Sequence, residues 1–190
     1  MGLKSLFRGS LCLALLTGCG TLQGSASSWV NRQGGIISDP QKQQRVDAIA
    51  SRLTAGQTRL HINVEILRSD AVCAYALPDG TLFVTRGLMN VADDDVIAAA
   101  LAHELGHLLG EGDVPAVVSV KGCNQDLGAE GRADAYGLEL LRAEHVPPES
   151  MVQMLRLVRD SNCLSPRCVR VMNQRIDSLQ ERISESSQSK

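Results

Sequence analysis

The chain has 190 residues, 44% of them hydrophobic and only 3% aromatic, with 19 basic and 21 acidic side chains. That is apolar material for one modest core and one domain. A net charge of −2 offers no basic stripe to follow a nucleic-acid backbone, which sets DNA and RNA aside as partners. No internal repeat is visible.

Residues 1–18 read as an export signal: Lys4 and Arg8 form a basic start, and Leu11 to Leu16 an apolar run too short to span a bilayer. The ending Leu16-Thr17-Gly18-Cys19 resembles a bacterial lipobox. That resemblance implies cleavage before Cys19, whose thiol and freed amine then carry acyl chains and anchor the chain in a membrane. Gly20 rather than Asp after Cys19 resembles the sorting signal for the outer membrane, which places the protein in the cell envelope, on the periplasmic face of that membrane in a Gram-negative cell. Removal of the leader takes Lys4 and Arg8 and no acid, moving the net charge from −2 to −4. Residues 19–38, Gly- and Ser-rich, read as the lipidated cysteine and a flexible tether with a reach of roughly 25 Å. Trp29 interrupts the tether and reads as docking on the domain rather than on the bilayer interface.

The domain itself is expected over 39–183. Asp39-Pro40 is an N-cap with proline at the first helical position, and Val46, Ile49, Ala50 and Leu53 follow at helical spacing up to Gly56. Residues 60–67 alternate apolar Leu60, Ile62, Val64 and Ile66 with polar neighbours, the pattern of a half-buried strand. Two more strands flank Pro78-Asp79-Gly80, a hairpin turn. Asp93 to Asp95 open a helix running to Leu109, where their charge suits the dipole. Residues 111–123 are apolar without clear period and read as a loop over the core, with a gate over a cleft as the alternative. Further helices are expected over about 125–144, from Pro147-Pro148, and over about 168–183, followed by a disordered tail at 184–190. A small hairpin-bearing sheet packed against several helices is an α+β fold.

Beyond Cys12 in the leader and Cys19, four cysteines remain. In an oxidising envelope an even set suggests two disulfides, and four cysteines allow three connectivities. Cys163 and Cys168 bracket a short loop with Pro166 and are paired on that ground, leaving Cys73 with Cys123.

The chemistry centres on residues 102–110, AHELGHLLG. At 100° per residue Ile97, Leu101, Leu105 and Leu108 form a core-facing stripe, while His103 and His107 lie about 40° apart on the other side, among Ala99, Gly106 and Gly110. Two imidazoles at i, i+4 supply two metal ligands, and Glu104 sits close enough to work on a water at that metal without binding it. A third ligand is needed from Glu111, Asp113, Asp126, Glu130, Asp134 or Glu139. Glu111 and Asp113 would have to fold back sharply. Asp126, Glu130, Asp134, Gly137 and Leu141 share one face of the next helix, where Glu130 as ligand leaves Asp134 to receive the other N–H of a ligating histidine. Gly106 and Gly137 would let the two helices approach.

Three blocks in order, ALPDGTLFVTRGL, H-E-x-x-H and Glu130-x-x-Ala133-Asp134, resemble the HtpX-like, CAAX-prenyl-protease-type zinc metallopeptidase family, in its soluble bacterial lipoprotein branch. The resemblance covers about residues 70–142. It implies a zincin-like gluzincin domain in which His103, His107 and Glu130 bind one Zn2+, Glu104 is the general base and Asp134 supports the site. The later His-Pro element of the family is incomplete, and Arg175 is a candidate for transition-state or substrate contact, together with His145 and Tyr136. The expected function is a membrane-anchored zinc endopeptidase of the envelope, acting on unfolded or misassembled proteins aligned against a hairpin strand around 72–77. The alternative is a non-proteolytic zinc lipoprotein serving as chaperone or partner of envelope assembly machinery.

Overall fold

The computed structural model describes residues 22–55, 61–110, 118–119, 127–162 and 165–188. The leader, Cys19, Gly56, Leu60, residues 111–117 and 120–126 (with Glu111, Asp113, Cys123 and Asp126), and Cys163 lie outside them. In chain order the elements are α1 (Leu22–Arg32), α2 (Pro40–Leu53), β1 (Asn63–Leu67), β2 (Ala74–Ala76), β3 (Thr81–Thr85), α3 (Arg86–Val91), α4 (Asp94–Gly110), β4 (Val118–Ser119), α5 (Leu127–Ala143), α6 (Glu149–Asn162) and α7 (Pro166–Gln188). This is an α+β domain, as the patterning predicts.

The sheet order is β1-β3-β2-β4. Pro78-Asp79-Gly80 makes the expected hairpin: Asp79 Oδ1 accepts the Thr81 amide at 2.9 Å and Gly80 N donates to Leu77 O at 3.0 Å. β2 and β3 pair antiparallel with Tyr75 opposite Phe83. β1 adds parallel to the outside of β3, Val64 opposite Leu82. One face of the sheet, with Val64, Ile66, Ala74, Ala76, Leu82 and Val84, joins the main core. The other buries Leu67, Cys73, Tyr75, Leu77 and Phe83 in a second, smaller cluster.

That second cluster corrects the tether. Residues 22–32 are the helix α1, and Trp29 docks edge-on against Tyr75 (centroids 5.0 Å, 79°) and tilted on Phe83 (5.6 Å). Gly and Ser are poor helix formers, so tertiary packing around Trp29 overrides local preference here. The stop is written in glycine: Gly34 at φ 90 lets Gly34 N bond Asn31 O and Gly35 N bond Val30 O, both at 3.0 Å, a Schellman end.

α2 starts as predicted, with Asp39 Oδ1 accepting the Lys42 amide at 3.1 Å and Pro40 at the first position. From α2, Arg45 reaches Asp94 Oδ1 at 2.6 Å and Ala92 O at 2.9 Å, fixing where α4 begins. α3, a single short helix capped by Thr85, has no counterpart in the sequence pattern. α4 is buried on nearly every side: Val96 to Leu105 are all in the interior. α6 and α7 close the core with Met151, Leu155 and Val158 and with Met172, Ile176, Leu179 and Ile183. α7 runs to Gln188, so the expected disordered tail is helical over 184–188, with Ser184 and Ser186 hydroxyls bonding back to Glu181 O and Ile183 O.

Cys73 does not bridge to Cys123. It is buried in the second cluster, its sulfur accepting from Asn162 Nδ2 at 3.7 Å, and Cys123 itself lies outside the described residues. Cys168 is disulfide-bonded, and Cys163, its expected partner, lies outside the described residues.

Candidate metal centre

The site forms where α4 meets α5, and two glycines set how closely. A Cβ on Gly106 would strike the Ala133 backbone, its carbonyl oxygen first and its Cα at 2.8 Å. One on Gly137 would meet Met151 Cε at 2.7 Å and the Ala102 carbonyl at 3.1 Å. With both absent, the polar faces of the two helices come into direct contact, as their sequence placement predicts.

On those faces His103, His107 and Glu130 bring one potential ligand atom each within 4.8 Å of the others, the one such grouping among the described residues. His103 Nε2 stands 3.2 Å from His107 Nε2 and 3.3 Å from Glu130 Oε2, and His107 Nε2 is 3.5 Å from Glu130 Oε1. Two ligands of a tetrahedral zinc at about 2.1 Å are separated by about 3.4 Å, so the triangle already has the size of one face of a tetrahedral shell. His103 Nδ1 lies 2.8 Å from Asp134 Oδ1. Donating there fixes the neutral tautomer with the Nε2 lone pair turned inward.

Arg175 of α7 completes the frame. Its Nη2 and Nε donate to Asp134 Oδ1 and Oδ2 at 2.8 and 3.1 Å, a bidentate fork, and Nη1 lies 2.7 Å from Glu130 Oε2. The last contact is an ion pair without hydrogen-bond alignment, for Glu130 Oε2 and Arg175 Nη1 both lack a hydrogen-bond partner among the described residues. An anionic oxygen buried in that state is available to a cation.

Electrostatics say the same. Burial opposes the charge of Glu130, yet the adjacent His103 and His107 imidazoles and then the Arg175 charge outweigh it and hold the carboxyl well below the usual range. For Asp134 burial is likewise overcome, by the Arg175 charge and the His103 bond. Burial would lower His103, but Asp134 and Glu130 raise it to about 10. Three acceptor atoms converge, and something positive must sit among them: a proton or a metal. Glu104 differs. It is fully buried, neither oxygen has a hydrogen-bond partner among the described residues, and that desolvation pushes its carboxyl up to about 7. A carboxylate next to the ligands with no structural bond of its own is free to exchange protons.

A model of peptidase family M48 matches residues 38–126. Over that segment, just under half of the chain, the protein is similar to peptidase family M48. The match supports a metallopeptidase function, with the buried His103, His107 and Glu130 as candidates for its metal site. No curated protein matches the sequence. The matched segment holds His103, Glu104 and His107 but stops short of α5, so the place of Glu130 and Asp134 in the site rests on the geometry itself.

Three sequence candidates change role. Arg175 is in the site but buried and clamped on Asp134, so it positions ligands rather than facing substrate. Its signal was available: it sits on the apolar stripe of Met172, Ile176 and Leu179, where a charge needs a buried partner. His145 lies past the far end of α5, about 20 Å along the axis from Glu130. It is exposed, with φ 56, and ends the helix through Val146 N to Leu141 O at 2.8 Å. Tyr136 is half-buried and about 120° around α5 from Glu130. Tyr75 escaped notice in the sequence. Its buried hydroxyl lacks a hydrogen-bond partner among the described residues, and burial, then Cys73 and Glu104, push the phenol far up.

Proposed function

We propose that this protein is a zinc-dependent endopeptidase of the M48 type that cleaves extended segments of unfolded or misassembled polypeptides, held in the bacterial envelope by a lipid on Cys19. The observation that carries the catalytic part is Glu104: a fully buried carboxyl without a hydrogen bond among the described residues, one residue from a ligand and beside three inward-turned ligand atoms. A purely structural metal site or a binding module has no use for it.

The residues present fit zinc in number, donor type and spacing. His103, His107 and Glu130 would hold the ion, which supplies Lewis-acid polarisation of the scissile carbonyl and of the attacking water. Glu104 takes the proton from that water and returns it to the leaving amine, a role suited to a carboxyl poised near neutrality. Asp134 keeps His103 in the ligating tautomer and aimed inward. Arg175 keeps Asp134 and Glu130 charged in a dry interior. The burial of all these groups excludes bulk water from the proton path.

The envelope setting draws support from the sequence: a leader, a lipobox-like Leu16 to Cys19, and Gly20 in the position associated with outer-membrane sorting. Among the described residues no helix is long and apolar enough to cross a membrane, so in this reading the acyl chains are the attachment.

The test is digestion of a denatured, labelled polypeptide by the zinc-loaded chain. Cleavage should stop with a chelator, return with zinc, and vanish in Glu104→Gln while that variant retains about one zinc per chain. Chelator-insensitive behaviour, or full activity of Glu104→Gln, would sink the enzymatic reading in favour of a zinc-containing chaperone or assembly factor.

A further inference from the structure

α1 begins close to the residue that the anchor would hold. Only Gly20 and Thr21 stand between Cys19 and Leu22, the first residue of the helix. Three residue steps span at most about 11 Å. The helix adds about 1.5 Å per residue, so Trp29 lies within about 21 Å of Cys19 whatever path Gly20 and Thr21 take. The other end of α1 is built into the domain. Ala26, Trp29 and Val30 pack against the second cluster. Beyond the Gly34 stop, Ile37 N bonds Ile66 O at 2.9 Å and Arg68 N bonds Gly35 O at 2.8 Å. A free chain over residues 19–38 would let the domain range up to about 70 Å from its anchor. This chain cannot.

The side of α1 turned away from the domain has a composition of its own. Ser27, Ser28, Asn31 and Arg32 are exposed and lie within about 140° of one another, opposite Ala26, Trp29 and Val30. From Cys19 to Ser38 there is no Asp or Glu, and Arg32 is the one charge. Residues 39–190 are the reverse: 19 basic residues less Lys4, Arg8 and Arg32 leave 16 against all 21 acids, a net −5. Hydroxyls, an amide and a guanidinium are donors suited to phosphate-bearing headgroups, and no carboxylate on that face repels them.

We infer that α1 is a rigid seat that holds the domain directly on the bilayer, with Ser27, Ser28, Asn31 and Arg32 turned to anionic lipid headgroups. This rests on the lipid-anchor part of the reading above and adds the surface that faces the membrane. Acyl chains hold residue 19 at the interface, and the short connection then leaves α1 no other place. The consequence falls on substrate. A domain of this size is about 40 Å across, so the metal centre works within that distance of the lipid surface. It serves polypeptide segments presented there and does not sweep the space beyond.

Trp29 is the single tryptophan of the chain, so its emission reports this position alone. The test uses the full, lipidated, zinc-loaded chain in vesicles of phosphatidylethanolamine and phosphatidylglycerol carrying a dansyl-headgroup lipid as energy acceptor. Flotation shows that the chain is anchored, and Trp29 should then transfer strongly to the dansyl groups. Lipids brominated on the acyl chains should not quench Trp29, because its ring stays against Tyr75 and Phe83. A twenty-residue Gly/Ser insertion between Gly20 and Thr21 adds about 25 Å of mean reach and should lower transfer severalfold. Ser28→Glu with Asn31→Glu should lower transfer on these vesicles and restore it on phosphatidylcholine alone, with cleavage of a soluble denatured polypeptide unchanged. Should the double variant misfold, the insertion decides, since it leaves α1 intact. Weak transfer from a floating wild-type chain, bromine quenching, transfer indifferent to the insertion, or transfer indifferent to the two acids in a folded variant overturns the seat and leaves the anchor standing. A chain that does not float overturns anchor and seat together.

Discussion

Glu104→Gln should do two things at once: end catalysis and stabilise the metal-free protein, by an amount that depends on pH. Glu104 is 0% exposed, its carboxylate has no hydrogen bond among the described residues, and burial raises its pKa from 4.5 to about 7. A carboxyl whose folded pKa is raised binds its proton more tightly folded than unfolded. The stability it carries is complete below about pH 4.5 and is lost as pH rises through about 7. At roughly 1.4 kcal/mol per pH unit, the loss is about 3 kcal/mol once Glu104 is ionised. Glutamine keeps the shape and never ionises, so the variant escapes this loss. Urea unfolding with chelator throughout should show wild type and variant nearly equal at pH 4.5, with the variant ahead by about 3 kcal/mol at pH 8. For a domain of this size that corresponds to roughly 10 °C in Tm. Other groups titrate in both proteins, so the difference isolates residue 104. With zinc restored the gap should narrow, because a nearby cation favours the carboxylate. A gap that does not change with pH, or a variant less stable at pH 8, would mean that Glu104 is held by partners and is not the poised base argued here.

Arg175→Lys should weaken zinc binding although the charge is kept, because an ammonium cannot fork across Asp134 while reaching Glu130. Arg175→Met, leaving both carboxylates uncompensated, should cost about 3–5 kcal/mol in thermal or chemical unfolding; wild-type stability in either variant would show that the clamp is incidental. Gly106→Ala drives a methyl into the Ala133 backbone. It should cost at least about 1–3 kcal/mol and lower zinc affinity by forcing α4 from α5, as read by denaturation and metal competition. Trp29→Ala should destabilise the domain by about 1–3 kcal/mol through the lost ring contacts with Tyr75 and Phe83, whereas a tether residue would be neutral.

The site was far more legible than its surroundings, because metal chemistry imposes spacings that survive in a one-dimensional string. His103 and His107 must be one turn apart to share an ion, and Glu130 and Asp134 one turn apart to serve as ligand and support. Those intervals could be read without knowing how α4 and α5 meet, and Gly106 and Gly137 showed that they could meet. Arg175 was harder. It lies 41 residues from Asp134, and nothing in the chain states that distance in space; its clue was negative, a charge on an apolar stripe. α1 was misread because Gly and Ser carry the composition of a linker, while the decision lay in what Trp29 touches. Even Gly34-Gly35, which looks like linker, is a helix stop whose meaning depends on there being a helix to stop. Alternation marked β1 as a strand but is blind to partner and direction, so its parallel pairing to β3 was unreadable. β4, at two residues, has no period at all.

Charge explains why the site is built this way. Glu104, Glu130 and Asp134 set three carboxylates against the single guanidinium of Arg175, all at most 4% exposed. Two uncompensated negative charges would remain in a region with almost no access to water, and burying them is expensive. The chain has two ways out. It can take up protons, which is what the raised His103 and Glu104 express, or it can take one divalent cation, which brings the sum to zero with both histidines neutral and every carboxylate ionised. The second state is also the one in which Glu104 is a base. Metal binding and competence for proton transfer are thus one event, and the same imbalance that destabilises the metal-free interior favours the ion that corrects it.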